Sequence, residues 1–275
     1  MDFGLLFVLL GVGAVFALTD IFSSSGSESD TPDPENSPDH DTDAPVDPPD
    51  DAELPDGVDV VEDPETGALT FVITDEFSGA GILSGVPGMA DILDLSEFSG
   101  NASVTENDQG EVFLQIEDES TEPTLLTGIN EVILGPGDNV VNVGSVPGGF
   151  GVTATEGTNS ITAWRGLLDV TLLGGTNSVD MADSGTLTVA IAGGENRIVP
   201  DEDVSGTVTI LAGATGETTL DTEAFIPVVF EREEPGLQIT PAEASDGAIV
   251  TWETGRITIV NGTEIIFPEE SAGAV

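Results

Sequence analysis

Residues 157–198 read GTNSITAWRGLLDVTLLGGTNSVDMADSGTLTVAIAGGENRI. The string Gly-x-Asn-x-(Val/Ile) occurs three times in it: Gly157-Thr-Asn159-Ser-Ile161, Gly175-Thr-Asn177-Ser-Val179 and Gly194-Glu-Asn196-Arg-Ile198. Between these lies a second string, Gly166-Leu-Leu-Asp-Val-Thr-Leu-Leu-Gly-Gly175, matched by Gly185-Thr-Leu-Thr-Val-Ala-Ile-Ala-Gly-Gly194. Both alternate apolar with polar residues at a period of two, the spacing of a half-buried strand. Leu168, Val170 and Leu172 fall on one side, as do Leu187, Val189 and Ile191. Ile161, Ala163, Val179 and Met181 are expected to point inward from an opposing strand.

Moving upstream, Gly137-Asp-Asn139-Val-Val141 and Gly128-Ile-Asn130-Glu-Val132 carry the same string, and Phe150, Val152 and Ala154 keep the strand register. From Gly137 the units start 20, 18 and 19 residues apart. A unit of two short strands has no second wall against which to bury its apolar face. Stacking unit on unit supplies that wall, which predicts an all-β chain built as a parallel β-solenoid or β-roll. The Asn side chains are then expected to form a ladder along the stack.

The flanks extend this reading. Leu69–Thr74, Ala90–Leu95 and Glu111–Ile116 read as strands of an N-terminal β region, residues 58–127, ahead of solenoid repeats over 128–221. Ala248–Trp252, Arg256–Val260 and Thr263–Phe267 are joined by Thr254-Gly255 and Asn261-Gly262. Asn-Gly between two strand runs is a hairpin signal, so residues 222–275 are expected to form an antiparallel C-terminal cap, with Trp252 and Phe267 sealing the interior.

The N-terminus differs in kind. Phe3 to Leu18 is an uncharged apolar run, FGLLFVLLGVGAVFAL, within an N-terminal segment 1–22. It reads as an N-terminal hydrophobic helix, and two readings stay open: an uncleaved membrane anchor or a cleaved signal peptide. Residues 23–57, rich in Ser, Pro, Asp and Glu, hold too little apolar surface to offset ordering entropy and predict a disordered acidic linker. As a flexible coil it would span about 30–35 Å. It contains His40, the only histidine of the chain.

Charge narrows the function classes. The chain has 275 residues with 52 acidic and 4 basic side chains, a net charge of −48, and no Cys or Tyr. The cations are Arg165, Arg197, Arg232 and Arg256. Nucleic-acid binding requires a basic footprint, which this composition excludes. Self-repulsion at this charge makes divalent cations expected partners. The anchor-plus-spacer layout implies an extracytoplasmic protein, tethered or secreted, with glycans or surface proteins as further candidate partners.

The Gly-led units resemble the haemolysin-type (RTX) calcium-binding repeat, GGxGxDxUx, over about residues 128–215. The resemblance implies a β-roll with Ca²⁺ held between coils by turn carbonyls and Asp carboxylates. Here Asn stands in the Asp position at 130, 139, 159, 177 and 196. The remaining candidate metal ligands are Asp138, Asp169, Asp180, Asp183, Asp201 and Asp203, with Glu202 beside them. No nucleotide loop, zinc pattern or catalytic triad is visible. The leading expectation is a non-enzymatic bacterial surface β-solenoid with a structural or binding role. A polysaccharide-active enzyme on a β-helix and a passive adhesin or matrix protein are the alternatives.

Overall fold

In a computed structural model the described residues are 54–116, 122–144, 148–211, 213–221, 224, 226–230, 238–241, 247–252, 255–260 and 265–266, with side chains described through Val229. The run Phe3–Leu18, the linker through Glu53, His40, Asn261, Gly262 and Phe267 lie outside them, as does the side chain of Trp252. The compact unit containing the strands is Leu54–Val275.

The unit is an all-β solenoid of about 8 turns. In chain order its strands are β1 (Val58–Glu62), β2 (Leu69–Ile73), β3 (Ile82–Ser84), β4 (Asp91–Asp94), β5 (Ala102–Glu106), β6 (Val112–Ile116), β7 (Thr124–Thr127), β8 (Ile129–Leu134), β9 (Asp138–Val143) and β10 (Phe150–Ala154). There follow β11 (Thr158–Leu172), β12 (Thr176–Ile191), β13 (Glu195–Pro200), β14 (Asp203–Ile210), β15 (Gly216–Asp221) and β16 (Val228–Phe230). The last are β17 (Gln238–Pro241), β18 (Gly247–Trp252), β19 (Gly255–Val260) and β20 (Ile265–Ile266).

Two parallel ladders carry the stack. One runs β2, β4, β8, β10, the second half of β11, the second half of β12, β14, β16 and β20. The other runs β5, β9, the first halves of β11 and β12, β13, β15 and β19. β11 and β12 each pass from one ladder to the other, with an irregular register between Ala163 and Arg165. The coil repeat follows the string spacing: Asn139, Asn159, Asn177 and Asn196 occupy one register column.

The interior lies between the ladders. Leu168, Val170 and Leu172 face it from one side and Ile161 and Ala163 from the other, all nearly inaccessible to solvent. The next coil repeats this with Leu187, Val189 and Ile191 against Val179 and Met181. Burying each large side chain contributes about 1.5–3 kcal/mol, so every added coil adds a substantial apolar wall to its neighbour.

The corners explain the glycines. Gly157, Gly175 and Gly194 have φ of +80°, +80° and +92°. A β carbon on Gly175 would sit 2.6 Å from the Gly157 carbonyl oxygen, and one on Gly194 would sit equally close to that of Gly175. That close approach lets the Thr176 amide donate to Gly157 O and the Glu195 amide to Gly175 O, both at 2.8 Å.

Three features depart from the expected layout. The stack reaches back to β2, so coils begin well before residue 128. Asn130 does not join the Asn column. Asp91 pairs with Ile129 and Ile92 with Glu131, so Asn130 is the extra residue of a β-bulge in the other ladder. At the C-terminus, β17–β18–β19 is antiparallel, but β19 also pairs in parallel with β15, and β20 pairs in parallel with β16. The segment after β19 thus leads to a further coil strand on the opposite ladder, where a hairpin was predicted.

Candidate functional site

The Asn column is the most ordered polar feature of the interior. Asn139, Asn159, Asn177 and Asn196 are 2%, 2%, 2% and 5% exposed. Nδ2 of Asn139 donates to Oδ1 of Asn159 at 3.0 Å, Asn159 to Asn177 at 2.8 Å, and Asn177 to Asn196 at 2.8 Å. Asn196 completes the run by donating to Thr218 Oγ1 at 3.1 Å. Each Nδ2 spends its second hydrogen on a corner carbonyl of its own coil: Gly135, Glu156, Gly174 and Gly193 in turn. A buried amide has to be paired, and these pair through one another. The column therefore holds corners together and leaves little donor capacity for a ligand.

The predicted acidic ligands scatter over the surface. Asp138 is exposed at the start of β9, and its amide donates to Asn101 Oδ1 at 2.7 Å. Asp169 lies on the outer face of the first ladder. Asp180, Asp201 and Glu202 line a shallow depression of about 420 Å³ with Val199 and Asp221 on the second. Asp183 and Asp203 are exposed at corners. Among the described residues no group of three or more His, Asp or Glu side chains is placed to hold a metal ion.

Local electrostatics separate these acids. Burial pushes the Asp169 carboxyl above its ordinary value, opposed by a hydrogen bond with Thr188. Burial does the same to Asp180, where Arg197 pulls the value down and Asp201 pushes it up. Arg197 itself is paired to Asp221 at 3.0 Å, with both side chains half exposed. Such an exposed pair contributes about 0–1 kcal/mol. Asp201 accepts from the Glu202 amide at 2.7 Å.

Three residues that sequence reasoning passed over, Asp91, Glu131 and Trp164, carry structural or surface chemistry. Asp91 is fully buried and accepts from the Leu69 amide at 2.5 Å and the Val86 amide at 2.6 Å, pinning the first coils together. Glu131 and Asp169 both register with Gly151, one on each side, so no side chain separates them. The Glu131 carboxyl is pushed up first by burial and then by the Asp169 charge. Trp164 is 50% exposed and its Nε1 donates to Asn142 Oδ1 at 2.9 Å. The parity that puts Ile161 and Ala163 inside also puts Trp164 outside, so this signal was present in the alternation.

Comparison with protein-family models, with curated proteins and with solved structures found no match to this chain.

Proposed function

We propose that this chain is a non-enzymatic extracytoplasmic β-solenoid of a bacterial surface, tethered through its N-terminal apolar segment or released from it, with a structural or binding role. The observation that supports it best is the column itself. Its interior is apolar side chains plus an Asn ladder hydrogen-bonded from coil to coil, and its outer faces carry hydroxyls and carboxylates. Such a rigid, repeated surface suits display and binding. The apolar run and acidic Ser/Pro/Asp segment ahead of it supply a tether and a spacer.

Protease shaving of intact cells expressing the full chain tests the placement. The expected result is cleavage of the solenoid from outside, with the protein in the membrane fraction or the medium. Full protection in intact cells, with recovery in the cytosol, would overturn it.

Divalent cations belong to the same reading. A chain of charge −48 is stabilised by counterions, and Ca²⁺ neutralises two charges per ion. Melting in Ca²⁺ is expected to exceed melting in Na⁺ at equal ionic strength, and to fall with a chelator. Equal melting in the two salts would remove calcium from the account.

A further inference from the structure

Each coil walls its neighbour's interior, and that arrangement breaks at the first coil. β1 pairs antiparallel with β2, and among the described residues no strand pairs with its other edge. Val58 lies opposite Ile73 and packs against the core, and Val60 lies opposite Phe71 on the same face. Yet Val60 is 40% exposed. Five of the eight exposed large apolar side chains among the described residues, Leu54, Val60, Val61, Ile82 and Met89, fall within residues 54–89. The first coil thus presents a free strand edge beside the open end of an apolar interior.

The occupant has to bring a strand with apolar side chains on one face. Residues 23–53, which lead into β1, have Ala44, Val46 and Ala52 as their only apolar residues apart from Pro and Gly, so they supply no such strand. A second β1 does. Val58-Asp-Val-Val-Glu62 is self-complementary when two copies pair antiparallel about Val60. Val60 then meets Val60, Asp59 meets Val61 and Val58 meets Glu62, so no acid stands opposite an acid. Neighbouring registers fail. A shift of one residue turns one interior away from the other, and a shift of two sets Asp59 against Asp59 or against Asp63.

We propose that β1 is a homodimerisation edge: two copies of this chain pair antiparallel through Val58–Glu62 about Val60, joining the solenoids end to end. Opposed residues share a face, so both interiors fall on one side and each Val60 covers the other. The contact is the same patch on both copies and closes on itself as a dimer. It is one strand and the end of one core, smaller than a permanent interface, so it forms at about 10–100 μM chain. Each copy carries −48, and residues 54–89 contain no Lys, Arg or His, so repulsion opposes the pair and salt favours it. The inference does not depend on where the chain resides.

The test uses the full chain in a mild detergent. Sedimentation is expected to show more dimer at about 1 M NaCl, where the Debye length is about 3 Å, than at about 0.1 M, where it is about 10 Å. Val60→Glu, which puts two charges on the dyad, is expected to weaken association about tenfold or more. The chain has no cysteine, so single Cys variants read the register directly. Residues opposed in an antiparallel pair have Cα atoms about 4.5–5.5 Å apart, inside the about 4.4–6.8 Å that a disulfide spans. Oxidised glutathione is therefore expected to link Val60→Cys into a covalent dimer. In Val61→Cys the two thiols sit on a diagonal of about 7–8 Å and are expected to stay largely unlinked. These two variants keep an uncharged side chain of similar size and decide the matter if Val60→Glu fails to fold. A monomer at both salts, wild-type association by folded Val60→Glu, or equal linking of the two Cys variants would each overturn the proposal. Equal linking would place the association in the N-terminal apolar run instead.

Discussion

Asn139 donates to Asn159 across the coil boundary at 3.0 Å, but its own buried Oδ1 accepts no hydrogen bond. The ladder therefore has a direction: every amide donates toward the C-terminus, and the N-terminal end is an open acceptor. Thr218 closes the other end with a hydroxyl. A chain of amides aligned this way polarises along its length, so an interior member should count for more than an end member.

That asymmetry sets the first expected outcome. Asn177→Ala leaves Asn196 Oδ1 and the Gly174 carbonyl without their donor and Asn159 Nδ2 without one acceptor. Leaving buried polar groups unpaired costs about 1–3 kcal/mol each at full burial, so a loss of about 2–4 kcal/mol is expected by denaturant unfolding. Asn177→Asp is expected to be worse at pH 7, because it places an unpaired charge where the donor was. A smaller loss for Asn177→Ala than for Asn139→Ala would refute a cooperative ladder.

The open end suggests a gain. Ser103 registers with Val140, so Ala102 occupies the ladder position beside Asn139 and is 5% exposed. Ala102→Ser adds one hydroxyl there, able to donate to Asn139 Oδ1. Stability is expected to rise by about 1 kcal/mol, the net worth of one hydrogen bond. An unchanged unfolding midpoint would mean that the hydroxyl does not reach the acceptor.

Much of this column is legible in the sequence because its period is short and its parity strict. Leu168, Val170 and Leu172 are separated by Asp169 and Thr171, and no other strand register buries all three. Asn130 misleads because Gly-x-Asn marks a corner only when the chain is in register, and a bulge shifts β8 by one. The excursions through β6–β7 and β17–β18 break the period, so the solenoid's true extent is hidden on both sides. The acids are the least legible. With 52 of them, spacing in the chain says little about which two face each other, and Glu131 meets Asp169 only because Gly151 lies between.

That meeting gives a pH dependence. Glu131 and Asp169 both have folded-state values above those of the unfolded chain, chiefly through burial. Between the unfolded and folded values the native state holds more protons, so stability falls as pH rises through that window. The penalty is absent below the ordinary carboxylate range and complete above the folded values. Glu131→Gln is expected to raise the melting temperature at pH 7 and to flatten its rise on mild acidification. Asp203→Asn, at an exposed corner, is expected to keep the wild-type slope. Equal slopes in the two variants would place the effect in the global charge instead.

The corner glycines separate conformational strain from steric exclusion. Gly67 and Gly175 have nearly the same φ, +76° and +80°. A β carbon on Gly67 meets nothing within 4 Å, whereas one on Gly175 would meet the Gly157 carbonyl oxygen at 2.6 Å and the backbone of Glu156 at 2.8 Å. Gly67→Ala is charged only for the left-handed backbone, about 1–2 kcal/mol. Gly175→Ala must also push two coils apart, which lengthens the 2.8 Å bond from the Thr176 amide and misaligns the Asn159–Asn177 step beside it. Its expected loss is about 4 kcal/mol or more, in the range reserved for broken cores and networks. Chemical denaturation of the two variants measures the difference. Similar losses would mean that the coils are not held at contact distance, and the stacked corner would cease to explain the repeat.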